Sequence, residues 1–373
     1  MTMAVDRKHR DFDVLLYGAT GYTGRLVAHG LQEAGLAFAI AGRNQARLLE
    51  LRSRLDSRPE SLAVGLDEPG RLREAAARAR VVLSCAGPFA RCGPPVQDAA
   101  LAAGSHFLDV TGEFGYMLAT WRRDAEARAA GVVLLNAAGF DVVPSDLCAW
   151  LACRGLVSPA RVDVVLDQNT ARITRGTALS ILGILGSGGL RHEAGQWVEE
   201  PPGAHGLTVP MPSGQRRAIS VPLGDVVTAP RTTGARDVRA YMTAGSLSSR
   251  LVPWVAPWLG RAARGRLGRL AAGWLERGPE GPSDSERAAS RFSIWARAAD
   301  AEGRSQFATL EGRDPYGLTA VVAAFLAARL AREGAGLSGA LTPCQVADPL
   351  ALRDLLLAHG VTVFAPEPFV GGW

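Results

Sequence analysis

FDVLLYGATGYTG, residues 12–24, decides the fold of this chain. An apolar strand pattern over residues 12–17 leads directly into a GxxGxxG loop, and a helical pattern follows. Glycine is needed where a backbone turns tightly, approaches a pyrophosphate or packs a helix against a strand. The helix N-terminus then offers N–H groups and a partial positive charge to phosphates. We therefore expect a dinucleotide-binding loop rather than a turn without a ligand, with contacts from Gly18, Thr20, Gly21, Tyr22, Thr23 and Gly24.

The alternation of apolar runs and helical stretches continues to about residue 140. Apolar strands without polar alternation, separated by helices, are typical of a parallel sheet that is covered on both faces. The predicted strands are Phe12–Tyr17, Ala37–Ala41, Leu62–Leu66, Val81–Cys85, His106–Val110 and Val132–Ala137. The helical stretches between them include 43–55 and 117–130. This order predicts an α/β fold with a doubly wound parallel Rossmann sheet.

The pattern changes after about residue 150. Residues 161–167 and 291–298 alternate apolar and polar side chains, which predicts antiparallel strands with one wet face. Gly- and Pro-rich stretches between them, at 200–206, 209–214 and 277–282, indicate turns and loops. We expect three parts: a nucleotide-binding domain at 1–149, an α+β domain with a largely antiparallel sheet at 150–314, and C-terminal helices at 315–373. Those helices, 316–332 and 349–358, are expected to pack back on the first domain.

Composition and charge narrow the function classes. The chain has 373 residues, 47% of them hydrophobic and 21% charged, which is typical of a folded protein of two domains. The net charge of +5 comes from arginines scattered along the chain, whereas a nucleic-acid-binding protein concentrates its charge on one patch. We therefore expect no nucleic-acid partner.

Targeting and metal-binding patterns are absent from the sequence. The five cysteines include no CxxC pair, which argues against a structural zinc site, and no metal is expected. The N-terminal residues lack the apolar stretch of a secretory signal, and no run of 18 apolar residues predicts a membrane span. These features favour a cytoplasmic protein, and they leave its oligomeric state open.

The end of the second predicted strand indicates which dinucleotide binds. In NAD enzymes an Asp or Glu about 20 residues after the glycines holds the ribose hydroxyls. Here Arg43 and Asn44 follow the strand, and Arg47 comes one helical turn later. A guanidinium pairs with a 2′-phosphate, which a carboxylate would repel. Arg43, Asn44 and Arg47 therefore favour NADP(H), although Arg47 also fits a solvated helix face.

Other strand ends should meet at the same edge of the sheet, where ligands of such folds bind. Asp67 follows the third strand and is expected near the adenine. Ala86, Gly87, Pro88 and Phe89 follow the fourth strand and are expected near the ribose or nicotinamide, and Gly139 follows the sixth. Taken singly, each also fits ordinary turn chemistry.

At these motifs the chain resembles the saccharopine dehydrogenase-like oxidoreductases, and more closely their trans-acting enoyl reductase branch. The matching blocks are GATGYTG (18–24), AGRN (41–44), CAGPF (85–89), DVTGE (109–113), GFDVVPSD (139–146) and a block at 281–287. Phe107 departs from the tyrosine that many relatives carry. The resemblance implies reduction by NADPH of a carbon–carbon double bond conjugated to a thioester carbonyl. The substrate would be a small molecule or an acyl group on an acyl carrier or polyketide synthase, in lipid, polyketide or other specialised metabolism.

Hydride addition to an enoyl carbon places negative charge on the conjugated carbonyl oxygen, so a donor and an acid are required. Tyr116, His192 and Tyr241 are candidate donors. Asp141 is a candidate acid, provided that burial raises its pKa. For each of these four residues, a structural role is the competing interpretation.

Two apolar stretches have open interpretations. Residues 178–190 are apolar and Gly-rich, and they fit either an acyl pocket or a core helix. Residues 251–275 combine tryptophans with arginines, in the manner of a helix that contacts a membrane surface or an acidic carrier protein. The alternative is a helix that packs its Trp face on the domain and leaves its arginines in solvent. The candidate residues are Trp254, Trp258, Trp274, Arg261, Arg264, Arg266 and Arg269.

Two other functions remain open from the sequence. An imine or amino-acid reductase of the saccharopine type would use arginines to hold substrate carboxylates, and Arg172, Arg175 and Arg191 are available. A non-enzymatic NADP-binding regulator would bind the cofactor without consuming it.

Overall fold

The computed structural model describes residues 10–170, 172–211, 214–244, 260–263, 265–333 and 336–366. The predictions that concern Trp254, Trp258 and Arg264 lie outside these residues. The chain divides into two compact units. The first comprises residues up to 111 together with 116–140 and 316–347, and the second comprises 112–115, 141–315 and the residues from 348 onward.

A seven-stranded, all-parallel sheet forms the first unit, as the α/β Rossmann prediction required. In sequence order its strands are β1 (Phe12–Tyr17), β2 (Phe38–Gly42), β3 (Glu60–Ala63), β4 (Ala79–Ser84), β5 (His106–Asp109), β6 (Val133–Leu135) and β15 (Gly339–Ala340). Their spatial order is β15-β6-β5-β4-β1-β2-β3. The central strands are apolar because helices cover both faces, and Val14, Leu16 and Ile40 are fully buried.

Helices connect these strands. They are α1 (Tyr22–Glu33), α2 (Gln45–Ser53), α3 (Pro69–Ala77), α4 (Phe89–Ala103), α5 (Phe114–Trp121), α6 (Asp124–Ala130), α12 (Pro315–Glu333) and α13 (Pro343–Val346). Helix α12 approaches α1 closely, because a Cβ on Gly30 would lie 3.0 Å from the carbonyl oxygen of Ala320. The single helix expected at 117–130 is instead the pair α5 and α6.

A mixed sheet forms the second unit. Its path runs β10 (Gly206–Met211), β11 (Gly214–Ser220), β12 (Asp237–Thr243), β7 (Pro159–Asn169), β13 (Arg291–Asp300), β14 (Ser305–Arg313) and β16 (Thr362–Phe364). Strands β8 (Gly189–Glu193) and β9 (Gln196–Glu200) form a hairpin, and β8 pairs with β12. The expected strands at 161–167 and 291–298 are β7 and β13, and they pair antiparallel as predicted. The β7–β12 pair is parallel.

The helices of the second unit are α7 (Val143–Cys153), α8 (Arg175–Ser187), α9 (Asp225–Thr233), α10 (Arg266–Glu276), α11 (Asp284–Ala289) and α14 (Pro349–Ala358). Helix α7 is apolar and buried almost throughout, and it packs against β13 and β14. Its position determines which face of the sheet is the core.

Three segments differ from what the sequence predicted, whereas the expected helix at 316–332 does belong to the first unit. Helix α7 starts before residue 150 yet belongs to the second unit, and α14 packs against α7 rather than returning to the first unit. The loop expected at 209–214 is partly strand, since β10 continues to Met211. Proline is tolerated at position 210 because β10 is the edge strand of the sheet that the described residues form.

Candidate functional site

The glycine loop of the first unit has the geometry that phosphate binding requires. Gly18 has φ +77°, and a Cβ there would lie 2.8 Å from the backbone nitrogen of Ala86. A Cβ on Gly24 would lie 2.3 Å from the carbonyl oxygen of Gly18. Both contacts are too short for any side chain, so the two glycines bring β1, the loop after β4 and helix α1 close together.

Gly21 has a different role from the other two glycines. It is exposed and extended, with φ −71° and ψ 167°, and its Cβ would lie 3.4 Å from the Gly18 oxygen, an ordinary contact. It is the N-cap of α1, where no side chain caps the helix and no acidic residue occupies the first turn. Thr20, Tyr22 and Thr23 are partly exposed beside it. This loop therefore presents backbone to solvent at the positive end of a helix.

Arg43 and Asp67 lie near each other at the edge of the sheet. Both are exposed, and both act electrostatically on the buried Tyr17, whose pKa is raised to about 12 mainly by burial. Asn44 and Arg47 are exposed as well, but the Asn44 side chain accepts a hydrogen bond from the Arg47 backbone at 3.0 Å. Asn44 therefore has a structural role as the N-cap of α2, which leaves Arg43 and Arg47 as the candidate phosphate ligands.

The loop after β4 lies beside the glycine loop. Gly87 is exposed, Ala86 and Pro88 are partly exposed, and the Gly87–Pro88 peptide is cis. Phe89 is buried, and its ring stacks on Tyr116 with 6.5 Å between centroids. Within the predicted group 86–89, residues 86–88 therefore have surface available for a ligand, whereas Phe89 does not.

Gly139 is buried, which separates it from the exposed members of the predicted cofactor set. A Cβ there would lie 2.9 Å from the side chain of Thr319, and the Thr319 hydroxyl accepts a hydrogen bond from the backbone of Phe140 at 3.0 Å. Gly139 therefore allows helix α12 to pack against the loop after β6.

Asp109, the first residue of the DVTGE motif, connects the end of β5 to the end of β6. The sequence analysis did not name it as a site residue. Its Oδ1 accepts hydrogen bonds from the backbone of Thr111 and Ala137, at 3.1 and 3.2 Å. Its Oδ2 accepts one from Asn136 at 2.7 Å. The residue is fully buried, and this desolvation raises its pKa to about 7. Asp109 holds the loops after β5 and β6 in place.

Three of the four catalytic candidates are buried. Tyr116 lies in the first unit with its hydroxyl 3.5 Å from Gln97 Nε2, and burial raises its pKa. His192 and Tyr241 lie in the second unit. Burial lowers the pKa of His192, so its ring is neutral at pH 7, and Tyr241 donates to Asp163 at 3.3 Å. The contacts of Tyr116 and Tyr241 fit structural roles, and a catalytic role for any of the three remains a prediction.

Asp141 is the exposed member of the four candidates. Its Oδ2 lies 3.1 Å from the position of a Cβ on Gly112, so the DVTGE and GFDVVPSD motifs meet in the second unit. Desolvation by the surrounding atoms raises its pKa to about 6, although part of the residue remains exposed. An accessible carboxyl with this pKa can hold and release a proton near neutral pH.

A second acidic group lies deeper in the same unit. Asp225 begins helix α9 and is 1% exposed, and neither of its carboxyl oxygens accepts a well-formed hydrogen bond from the described residues. Asp146 of α7 is fully buried and accepts a hydrogen bond from Thr232 at 2.9 Å. Burial raises the pKa of Asp225 to about 7; the Ser145 hydroxyl opposes the shift, and Asp146 and Asp141 add to it. The sequence did not indicate Asp225 as a site residue, because a single Asp after Gly224 is typical of the first turn of a helix.

The state of Asp225 predicts a pH-dependent stability. Its folded pKa lies above the unfolded value, so between about pH 4 and 7 unfolding releases a proton and stability falls as pH rises. Asp225→Asn removes this ionisation and places an amide donor beside Asp146. We expect the variant to exceed the unmodified protein in unfolding free energy by roughly 1–3 kcal/mol at pH 8, and by less at pH 5.

Urea unfolding at the two pH values measures this difference. Asp354→Asn is the control, because the Asp354 side chain is 63% exposed and should give no pH-dependent difference. A destabilised Asp225→Asn protein at pH 8 would show that the carboxylate is needed in the fold.

A cavity of about 380 Å³ lies on the face of the second sheet that carries Tyr241. It is lined by Arg161, Asp163, Leu207, Thr208, Pro210, Trp295, Arg297 and Ala299. Arg161 pairs with Asp163 through two contacts of 2.9 Å, so its charge is compensated. The hydroxyl of Tyr241 donates to the same carboxylate, so Tyr241 already has an acceptor next to the cavity.

The arginines expected to hold substrate carboxylates have acidic neighbours. Arg191 contacts Glu193 and Glu200, at 2.6 and 2.8 Å. Arg172 and Arg175 each lie 3.9 Å from a glutamate. Each arginine that a saccharopine-type reductase would use therefore has a carboxylate beside it, closely so only at Arg191.

Helix α8 contains most of the apolar stretch 178–190, which the sequence fitted either to an acyl pocket or to a core helix. Its side chains are half-buried, and Ile181 is 43% exposed. The Ser180 hydroxyl donates to the buried Glu113 of the DVTGE motif at 2.6 Å. Because its described apolar side chains keep accessible surface, α8 is not a simple core helix, and it offers apolar surface beside that motif.

Comparison with known proteins supports the resemblance seen in the motifs. A trans-acting enoyl reductase of Mycobacterium leprae is 35% identical over 182 residues, covering 46% of this chain and 44% of that protein. A second, of Mycobacterium tuberculosis, is 33% identical over 184 residues, with the same coverage. A third protein of M. tuberculosis, named as a candidate enzyme of this kind, is 34% identical over 209 residues, 52% of this chain and 48% of its own length. This chain thus spans about half the length of the curated relatives that it matches.

The fold is that of saccharopine dehydrogenase. The apo enzyme from Saccharomyces cerevisiae (the L-Glu-forming type) superposes with a TM-score of 0.61 over 94% of this chain and 99% of its own, at 13% identity. No family model matches the sequence. The resemblance to trans-acting enoyl reductases and to the saccharopine dehydrogenase fold is therefore confirmed.

Proposed function

We propose that this protein is an NADPH-dependent reductase of a carbon–carbon double bond conjugated to a thioester carbonyl. The observation that carries the proposal is the exposed glycine loop, beside which Arg43 occupies the position of the acidic residue in NAD enzymes. The loop fits a dinucleotide because side chains are sterically excluded at Gly18 and Gly24, while Gly21 exposes backbone to solvent.

The choice of NADPH over NADH rests on charge. Arg43 is exposed at the end of β2, and Arg47 is exposed in the first turn of α2. Guanidinium groups can bind a 2′-phosphate through paired hydrogen bonds. Asp67 stands nearby and suits the neutral adenine rather than the phosphate.

The chain's own residues then have distinct tasks. The backbone of Gly21 and its neighbours binds the pyrophosphate, Arg43 and Arg47 bind the 2′-phosphate, and the loop 86–88 orients the nicotinamide end. When bound, the cofactor supplies a hydride. Asp141 holds the proton that the substrate α-carbon must receive, since its raised pKa keeps the carboxyl partly protonated near neutral pH.

The reaction class comes from the relatives, whose names describe trans-acting enoyl reductases. We infer a substrate borne by another enzyme, with an acyl carrier of a polyketide synthase as the partner. The partly exposed apolar helix α8 suits an acyl chain. The carboxylates beside the arginines at 172, 175 and 191 disfavour a carboxylate-rich imine substrate.

The cofactor preference predicts the behaviour of Arg43→Asp. The variant loses a charged hydrogen-bond pair and gains a repulsive charge, so NADPH should bind about 100-fold more weakly. NADH, which lacks the phosphate, should change by no more than about threefold by the same reasoning. Fluorescence titration with both cofactors measures the two effects.

Arg54→Asp is the matched control, because this arginine is 63% exposed at the far end of α2 and should leave both affinities unchanged. Equal weakening of NADPH and NADH by Arg43→Asp would contradict the role of Arg43 at the 2′-phosphate.

The reaction is tested by following NADPH oxidation with a panel of enoyl thioesters and a panel of cyclic imines. We expect turnover of enoyl thioesters, which Asp141→Asn slows while abolishing the alkaline fall in rate expected above the raised pKa of the acid. Turnover of imines alone would overturn the proposal. Tight NADPH binding with no acceptor from either panel would favour a non-enzymatic regulator.

A further inference from the structure

Helix α10 exposes its largest apolar side chains. Leu267, Leu270 and Trp274 are 67%, 71% and 75% exposed. Their spacing of three and four residues places them on one face of the helix, so they form a single stripe. This arrangement is the reverse of the helix expected to pack its Trp face on the domain.

The opposite face of α10 fixes this orientation. Gly268 is buried, and a Cβ there would lie 1.8 Å from the carbonyl oxygen of Ala263. Helix α10 also packs against α8. The buried side of the helix thus includes Gly268, and the stripe of Leu267, Leu270 and Trp274 remains exposed.

Arg266 and Arg277 border the stripe, and Arg269 lies farther round the helix. Arg266, Arg269 and Arg277 are all exposed. On a helical wheel of 3.6 residues per turn, Arg266 and Arg277 both lie next to Leu270, on the same side of the stripe. The exposed surface thus combines an apolar line with a cationic margin, which is the composition of helices that lie in a membrane interface.

The size of the stripe favours a lipid surface over a protein partner. Three large side chains expose on the order of 400 Å² together, given the 150–250 Å² that a large side chain offers. A stable protein interface buries about 800 Å² on each partner. A bilayer needs no complementary shape, and anionic headgroups attract each arginine.

We propose that α10 binds the surface of an anionic lipid membrane. Leu267, Leu270 and Trp274 enter the boundary between headgroups and acyl chains, and Arg266, Arg269 and Arg277 contact the headgroups. This contact is peripheral. In the part of the chain that the structure describes, no helix is long and apolar enough to cross a bilayer.

The test uses the full chain and sedimentation with two kinds of vesicle, one of phosphatidylcholine alone and one with an equal share of phosphatidylglycerol. We expect at least tenfold stronger binding to the anionic vesicles, with most of it lost in 0.5 M salt because screening removes the headgroup attraction. The triple variant Leu267→Ser/Leu270→Ser/Trp274→Ser should lose at least tenfold in affinity.

Leu357→Ser is the control, since Leu357 is 46% exposed on α14 and lies outside the stripe. It should bind vesicles like the unmodified protein. Circular dichroism of each variant checks that the fold is retained, and Arg266→Gln/Arg269→Gln provides a second, milder variant with reduced binding.

Three results would overturn the proposal: no preference for anionic vesicles, vesicle binding that survives the triple variant, or binding of a purified acyl carrier protein that the triple variant abolishes while vesicles are ignored. The measurement requires neither cofactor nor turnover, so it is independent of the outcome for the proposed reductase.

Discussion

Gly21→Val is expected to abolish NADPH binding while the protein remains folded. Gly21 has a backbone conformation that valine adopts readily, and its Cβ would be only in van der Waals contact with Gly18. The new side chain would instead project from an exposed position of the loop into the space that a pyrophosphate needs. We expect a loss of affinity of at least about 100-fold, the scale of a lost charged contact of roughly 3 kcal/mol.

Calorimetric titration with NADPH measures this loss, and thermal unfolding measures the fold. The melting temperature of the unbound variant should fall by only a few degrees, since an unfavourable N-cap costs about 1 kcal/mol. Gly70→Val is the matched control, because Gly70 is exposed in α3 with no atom within 4 Å of its Cβ position. Unchanged NADPH affinity in Gly21→Val would place the phosphates elsewhere.

Gly18→Val offers the opposite pattern at the same loop. Its φ of +77° and the 2.8 Å approach to Ala86 exclude any side chain, so this variant should lose stability as well as binding. Comparison of Gly18→Val and Gly21→Val thus separates the structural glycine from the binding glycine.

Asp109→Ala should be among the most destabilising single changes in the first unit. The variant removes the acceptor for three buried donors, the backbone N–H groups of Thr111 and Ala137 and the side chain of Asn136. Each buried donor without a partner costs about 1–3 kcal/mol, so we expect a loss of roughly 3–5 kcal/mol in unfolding free energy.

Asp109→Asn separates the hydrogen bonds from the charge. Its Oδ1 would keep the two backbone donors, and its amide would face Asn136, whose Oδ1 is buried without a partner. If Asn136 turns its amide over, that oxygen accepts the new donor, so the cost should stay below about 2 kcal/mol.

Chemical unfolding of both variants at pH 7 tests this prediction. Asp98→Asn is the control, since the Asp98 side chain is 62% exposed and its pair with Arg123 should contribute less than about 1 kcal/mol. Equal destabilisation by Asp109→Ala and Asp109→Asn would show that the negative charge itself is required.

The sequence predicted those parts of the fold in which a position accepts only one type of residue for a clear physical reason. Glycines at 18 and 24 predicted the tight turn between β1 and α1, because only glycine permits the close approaches found there. Unbroken apolar runs predicted the parallel strands, because both faces of such a sheet are buried. Strand β15 was missed, since two residues carry no periodicity, and its pairing with β6 depends on a segment more than 200 positions away.

The catalytic candidates illustrate the limit of sequence reasoning. Tyr116, His192, Tyr241 and Asp141 all bear suitable chemical groups, yet burial and partners separate Asp141 from the other three. A pKa depends on desolvation and on neighbouring charges, and neither can be read from residue order. Asp225 was not predicted for the same reason. The pKa of its carboxyl is raised by burial, and that burial arises from the packing of α9 against α7.

For this protein, the sequence by itself determined the Rossmann sheet, the glycine loop after β1 and the position of Arg43 at the end of β2, because these depend on local backbone geometry and on the order of neighbouring elements. The tertiary structure alone decided which polar groups are buried, that Asn44 caps a helix, and that the apolar stripe of α10 faces outward. Those properties arise from packing between segments distant in the chain, and packing determines burial, partners and exposure.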